Sequence, residues 1–339
     1  MVESTMNEKI LVLDCGSNSI KAGFAGEDSP RCEVPTVLGR SNQTSIMSKV
    51  IKPKPAAGQE AIDNRTGLQL KYPIRNGQIE NWPEFEEILS HVCLEVLATE
   101  PAECSGVFVT EPTGTNKYHR ERLAAILFDK FSAQQLYIAD QAVMSMYSAG
   151  RVTGVSVDSG KGLTHSVAVY EGQVVPDDIC EAERSEVAGA SMNEYLQRLL
   201  QEKSGASPPI EVIEDIKERL CFTAMKFKDE YPPRQYSLPD KKVINIPGTI
   251  QISIPELLFK PALNNIKSKS LHTMVWSSIS FDNELRREMG RNILLSGGSS
   301  LFEGLSERLH AELLSLAPAG TDIRILFNTN KKNSVWNGA

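Results

Sequence analysis

Ile10-Leu-Val-Leu13, Asp14-Cys-Gly16-Ser17-Asn18-Ser19 and Ile20-Lys21-Ala-Gly-Phe-Ala25 are, in order, an apolar run, a short polar turn and a second apolar run. This order predicts strand, tight turn, strand. The pattern returns in mid-chain as Val155-Ser-Val157, Asp158-Ser159-Gly160-Lys161-Gly162-Leu163-Thr164 and the alternating Ser166-Val-Ala-Val-Tyr170. Two hairpins of one design predict a duplicated architecture, each copy opening one lobe before helical patterns take over. After the first copy, Asn81-Trp-Pro83-Glu puts a proline in a first helical turn, and Phe85, Ile88, Leu89, Val92 and Val96 follow at helical spacing. After the second, helices are expected over Met192 to Leu200 and over Glu211 to Met225, where Val212, Ile216 and Leu220 recur every fourth residue.

Length supports two lobes, since 339 residues exceed the roughly 250–300 at which single cores split. The apolar share is 41% and the charged share 23%, and no run approaches the roughly 18 apolar residues of a membrane span. A net charge of -7 with interspersed signs offers no basic face, which argues against direct nucleic-acid binding. Met1-Val-Glu-Ser-Thr-Met-Asn-Glu-Lys9 has no apolar core behind a basic segment, so a cytoplasmic location is expected. The six cysteines form no Cys-x-x-Cys pair and the five histidines are isolated, a pattern unlike zinc sites or disulfide frameworks.

Ser41 to Ala57, rich in Pro and Lys, reads as an exposed excursion. Tyr231-Pro-Pro-Arg234 and Pro239-Asp-Lys-Lys242 read as a loop, and the alternation from Val243 to Ile254 suggests a short hairpin.

Tight turns of small residues present consecutive backbone N–H groups to phosphate. Gly16, Ser17, Asn18 and Ser19 form one such turn; Ser159, Gly160, Lys161, Gly162 and Leu163 form the other. Asp14 and Asp158, each ending the preceding strand, suit a Mg²⁺ that keeps most of its waters. One such turn alone is commonplace; its recurrence with the same carboxylate is what points to a clamp on a polyphosphate. A third strand, Ile293-Leu-Leu-Ser296, runs into Gly297-Gly298-Ser299-Ser300 and then into a helix carrying Leu305, Leu309 and Leu313.

Together these segments resemble the actin, hexokinase and heat-shock chaperone ATPase superfamily, and the words between them resemble actins in actin order. They are Lys21-Ala-Gly-Phe-Ala-Gly26, Leu70-Lys-Tyr-Pro-Ile74, Gln141-Ala-Val-Met-Ser-Met-Tyr-Ser-Ala-Gly-Arg151, Asp158-Ser-Gly-Lys-Gly-Leu-Thr-His165, Asp215-Ile-Lys-Glu-Arg-Leu-Cys221, Leu295-Ser-Gly-Gly298 and Ser334-Val-Trp336. The resemblance implies an α/β fold of two lobes, each a duplicated β-sheet with helices, around a nucleotide cleft. The first lobe would span 1–148 with an outer subdomain at about 36–73. The second would span 149–331 with an inserted subdomain at about 187–266. Residues 332–339 would return to the first lobe, with the family's remaining C-terminal helices absent.

The resemblance further implies ATP or ADP with Mg²⁺ or Ca²⁺ as cofactors and a weak ATPase activity. Asp14 and Asp158 would stand beside the metal, Ser17 and Lys21 would hold phosphate, and Gln141 and His165 would order the attacking water. Gly189, Lys217, Glu218, Gly297, Gly298, Ser299, Phe302 and Lys332 would surround the rest of the nucleotide. Ile46, Met47, Leu263 and Ile266 would be polymer contacts. Partners would be further copies or other actin-like subunits and actin-binding proteins, in the cytoskeleton. Against the actin pattern, Lys161 stands in place of an acidic residue, Glu214 of an arginine, Asn18 of a glycine, Asn76 of a histidine and Phe302 of a tyrosine. Leu263-Asn-Asn-Ile266 is more polar than the usual contact plug. A non-polymerising structural subunit that binds nucleotide without turnover is the alternative, and no sugar-pocket signature supports a sugar kinase.

Overall fold

A computed structural model describes residues 9–41, 54–205, 207–227, 230–238, 241–326 and 331–339. The chain divides into two compact units, Met1–Ser148 with Val335–Ala339, and Ala149–Ser334.

In the first unit the opening hairpin becomes strands Ile10–Cys15 and Ser19–Phe24 of a five-stranded sheet. Its order is Leu136–Asp140, Gly106–Glu111, Ile10–Cys15, Ser19–Phe24, Cys32–Pro35. The first three strands run parallel and the last two are added antiparallel. Helix Trp82–Ser90 starts where predicted, with the Asn81 side chain accepting from the Glu84 N–H and Pro83 in the first turn. Its Phe85, Ile88 and Leu89 and the following Val92 pack against Leu11, Leu13, Ile20, Val107 and Val109. A side chain the size of fully buried Phe85 contributes roughly 2–3 kcal/mol by leaving water. Val96, expected on the same stripe, is exposed: from His91 to Val96 the helix is wound more widely, which rotates the last turn away from the core.

Trp336 closes this unit. Its ring is buried against Gly23, where even a Cβ would lie 2.8 Å from it, and its Nε1 donates to the Val12 carbonyl at 3.4 Å.

The second unit repeats the arrangement strand for strand. Its sheet order is Ile325–Leu326, Ile293–Ser296, Gly154–Ser159, Thr164–Tyr170, Gln173–Val174, with Glu183–Ser185 added beside Thr164–Tyr170. The first three are again parallel, and the hairpin strands again antiparallel. Met192 and Leu196 of helix Gly189–Ser204, Ile213 and Ile216 of helix Ile210–Leu220, and Leu309 of helix Leu305–Leu316 pack with Val155, Val157 and Leu295.

Two expectations need correction here. The helix expected over Glu211 to Met225 stops at Leu220, because Cys221 is extended (φ −83°, ψ 142°). The alternation expected to make a hairpin of Val243 to Ile254 extends only over Val243–Ile246, which pairs with Arg234–Ser237 inside the stretch read as a loop. Beyond Pro247 the chain is helical over Gly248–Glu256, where Ile250 and Ile254 lie one turn apart on the buried side. Isoleucines at every second residue also satisfy a helix buried nearly all round, and periodicity alone does not separate the two readings.

Candidate functional site

The first turn is built around Asp14. Antiparallel pairing sets Asp14 opposite Lys21, whose Nζ lies 3.2 Å from Asp14 Oδ2. The parallel neighbour sets Thr110 on the other side, and its Oγ1 donates to Asp14 Oδ1 at 2.7 Å. Gln141, the first residue of helix Gln141–Ser148, donates its Nε2 to the same oxygen at 3.2 Å. With the amide nitrogen committed to Asp14, the side-chain carbonyl is the group left to accept from a water.

The turn itself is closed by Gly16 N–H donating to the Ser19 carbonyl at 3.0 Å. Thr36 holds it from behind, its Oγ1 donating to the Gly16 carbonyl at 2.8 Å and its N–H to the Asn18 carbonyl at 3.0 Å. Ser17 Oγ accepts from the Gly77 N–H at 3.0 Å, while the Ser19 hydroxyl is turned away from the turn and donates to Glu33 at 2.7 Å.

The second turn has the same register. Asp158 lies opposite His165 and beside Ser296, whose Oγ donates to Asp158 Oδ1 at 2.8 Å. Gly160 N–H donates to the Leu163 carbonyl at 2.9 Å, matching the closure of the first turn. Three further bonds lock the backbone: Gly189 N–H to the Gly160 carbonyl at 2.9 Å, Ala190 N–H to the Lys161 carbonyl at 2.7 Å, and Ser299 Oγ to the Gly160 carbonyl at 3.0 Å. The start of helix Gly189–Ser204 therefore spends two of its unpaired N–H groups on holding the turn. Gly297 is required where it stands: its φ is +83°, and a Cβ would lie 2.4 Å from the Ser159 carbonyl oxygen. His165 is 4% exposed, and neither ring nitrogen has a hydrogen-bond partner.

Lys161 turns to Glu214, Nζ to Oε1 at 2.9 Å. The same oxygen accepts from Asn193 Nδ2 at 2.9 Å, and Asn193 Oδ1 accepts from Lys217 Nζ at 2.7 Å. Lys217 also donates to the Gly189 carbonyl at 3.3 Å. Burial pulls the Lys217 ammonium below the ordinary lysine range, opposed by the carboxylates of Glu214 and Glu218. Gly189, Lys217, Gly297, Ser299 and the turn 159–163 thus belong to one connected patch of the second unit. Gly162 and Leu163 are half-buried within it, whereas Glu218, Gly298 and Lys332 are exposed. Phe302 is half-buried against the core. Leu263 and Ile266 also pack, half-buried, against that core, and Ile46 and Met47 lie outside the described residues.

Thr110 and Gly77 hold the first site and were not singled out from the sequence. Asn76-Gly77 between short strands Ile74–Arg75 and Gln78–Ile79 is a two-residue hairpin signal, with φ of +47° and +73°, that could have placed this loop. Thr110, at the end of a β run, carries no local signal of what stands beside it.

Among the described residues no group of three or more His, Cys, Asp and Glu could cage a metal. Single carboxylates at the ends of strands suit instead a hard cation bound through water and phosphate oxygens. The orphan ring nitrogens of His165 have room for a polar partner in their bonding scheme.

Two units with one strand order, each carrying a closed hairpin turn and an aspartate braced by a hydroxyl from the parallel neighbour, define the two-lobed actin-like α/β class. The chain belongs to the actin family: the Actin family model matches residues 5–210 and 206–339. Members of this family generally bind a nucleotide and a divalent cation and are typically cytoskeletal. Among the described residues no helix is long and apolar enough to cross a membrane.

Proposed function

We propose that this chain is an actin-like cytoskeletal protein that grips ATP or ADP and Mg²⁺ with its two hairpin turns, hydrolyses ATP slowly and assembles with copies of itself. The observation that carries the reading is the matched pair Asp14–Thr110 and Asp158–Ser296, each beside a closed turn at the same register of its own sheet. Asp14 is buried and Asp158 half-buried, and a duplicated carboxylate with its hydroxyl brace at such positions has no use in apolar packing. When bound, the metal–nucleotide supplies a polarised γ-phosphate, and catalysis then needs chiefly positioning and charge. Gln141 offers its carbonyl to a water while Asp14 holds its amide. His165 offers a ring nitrogen from a buried strand position. Lys21 supplies positive charge and orients Asp14.

The test is thermal protection by Mg-ATP, phosphate release and sedimentation after salt addition, all on the full chain. No thermal shift with Mg-ATP would sink nucleotide binding, no phosphate release would sink turnover, and no pellet would sink self-assembly. A non-polymerising structural subunit that binds nucleotide without turnover is the second reading, resting on the polar Asn264-Asn265 inside the segment Leu263 to Ile266.

A further inference from the structure

The charge on the second turn is arranged differently from its backbone. The Ser159–Leu163 backbone is locked by hydrogen bonds from Gly189, Ala190 and Ser299. Among the described residues the Lys161 ammonium is held by Glu214 alone, in a pair whose side chains are 29% and 28% exposed. A solvent-accessible lysine pair contributes little to stability, so a more highly charged ligand can take the lysine away. Lysine suits that exchange, being a compact charge on a flexible stem.

Releasing Lys161 leaves no stranded carboxylate. Glu214 Oε1 keeps the hydrogen bond from Asn193, and Asn193 is braced in turn by the buried Lys217. The carboxylate is therefore a parking place for the ammonium, stable with or without it. Lys161 also lies only three residues beyond Asp158, on the turn read as the phosphate grip.

We propose that Lys161 is a metal-sparing cation: a bound polyphosphate draws it off Glu214, and its charge offsets phosphate charge that the divalent ion would otherwise carry. The inference rests on the nucleotide-binding reading above and deepens it. Its consequence is that nucleotide binding is less dependent on divalent metal than the two aspartates alone would make it, and that Glu214 sets how much.

The experiment measures ATP dissociation constants for the full chain in Mg²⁺ and in EDTA, by displacement of a fluorescent ATP analogue. The readout is the ratio of metal-free to metal-bound dissociation constant. Relative to wild type, K161Q is expected to raise this ratio about tenfold, K161R to keep it within about twofold, and E214Q, which frees the ammonium, to lower it severalfold. Because K161Q and E214Q move the ratio in opposite directions, general damage to the fold cannot imitate the pattern. A wild-type ratio in K161Q, or a raised ratio in E214Q, overturns the metal-sparing role while leaving nucleotide binding intact. A wild-type chain that binds ATP in neither buffer overturns the proposed function itself, and this inference with it.

Discussion

The two hairpins share register, turn closure and a hydroxyl brace on the aspartate, yet the residue facing that aspartate differs. In the first, Lys21 is 3.2 Å from Asp14, so the carboxylate is paired before any ligand arrives. In the second, His165 faces Asp158 with both ring nitrogens unpartnered, and among the described residues no cation lies within ion-pair reach of Asp158. One turn is electrostatically complete and the other is not. The first pairs its aspartate within the fold, whereas in the second, on the function proposed above, the His165 ring nitrogens are the groups left to meet a ligand.

The sharpest way to break this contrast is to substitute the two facing residues. K21M removes the cation from a buried carboxylate that keeps its donors Thr110 and Gln141, and should cost about 2–3 kcal/mol, less than the loss of one partner from a fully buried pair. H165F removes two unsatisfied polar atoms from a buried site and should leave stability unchanged or raise it by up to about 1 kcal/mol, while abolishing phosphate release. Urea unfolding of both variants checks the stability signs, and similar losses in the two would show that the hairpins are equivalent after all.

The neighbouring parallel strands differ too. Beside Asp158 the strand leaves through Gly297 at φ +83° with the Ser159 carbonyl pressed against it. G297A should therefore cost about 2 kcal/mol or more, from left-handed strain and the clash together. Thermal unfolding with and without Mg-ATP measures it, and a loss under about 0.5 kcal/mol would mean that the second turn is free to shift.

A smaller effect tests what the hairpins share. T110V and S296A each delete one hydroxyl donor to an aspartate, worth about 1 kcal/mol, and should weaken nucleotide affinity alike. Unequal effects in titrations of the two variants would mean that the duplicated brace serves only one turn.

How much of this was legible beforehand follows from the range of each interaction. The hairpins, their aspartates and the Trp82–Ser90 helix are local patterns, and a period of two or of 3.6 residues shows in the sequence. The Asp14–Thr110 bond joins residues from different strands, and nothing near Thr110 announces its partner. The Lys161–Glu214 pair was visible only as two separate departures from the actin pattern; the contact that makes them one feature is tertiary. The helix Gly248–Glu256 was misread for the opposite reason, since its local pattern was present but fitted two structures.

The last difference concerns two lysines, Lys21 half-buried and Lys217 buried. Lys21 meets a carboxylate directly, whereas the ammonium of Lys217 is met by a side-chain amide oxygen and a backbone carbonyl, with Glu214 and Glu218 acting only through space. Burial accordingly depresses the Lys217 pKa. In the unfolded chain the same group titrates near 10.4, so between the depressed folded value and about 10.4 the unfolded state binds more protons, and stability from this group rises with pH. Below that window the full cost of burying the charge is present, and above it the cost is gone. The stability of wild type minus that of K217M should therefore climb as pH is raised towards about 10, with tyrosine and cysteine ionisation cancelling in the difference. Urea titrations of both proteins across the alkaline range measure the slope. A difference that falls with pH would mean that the two glutamates outweigh desolvation, making Lys217 the counterpart of Lys21 rather than its contrast.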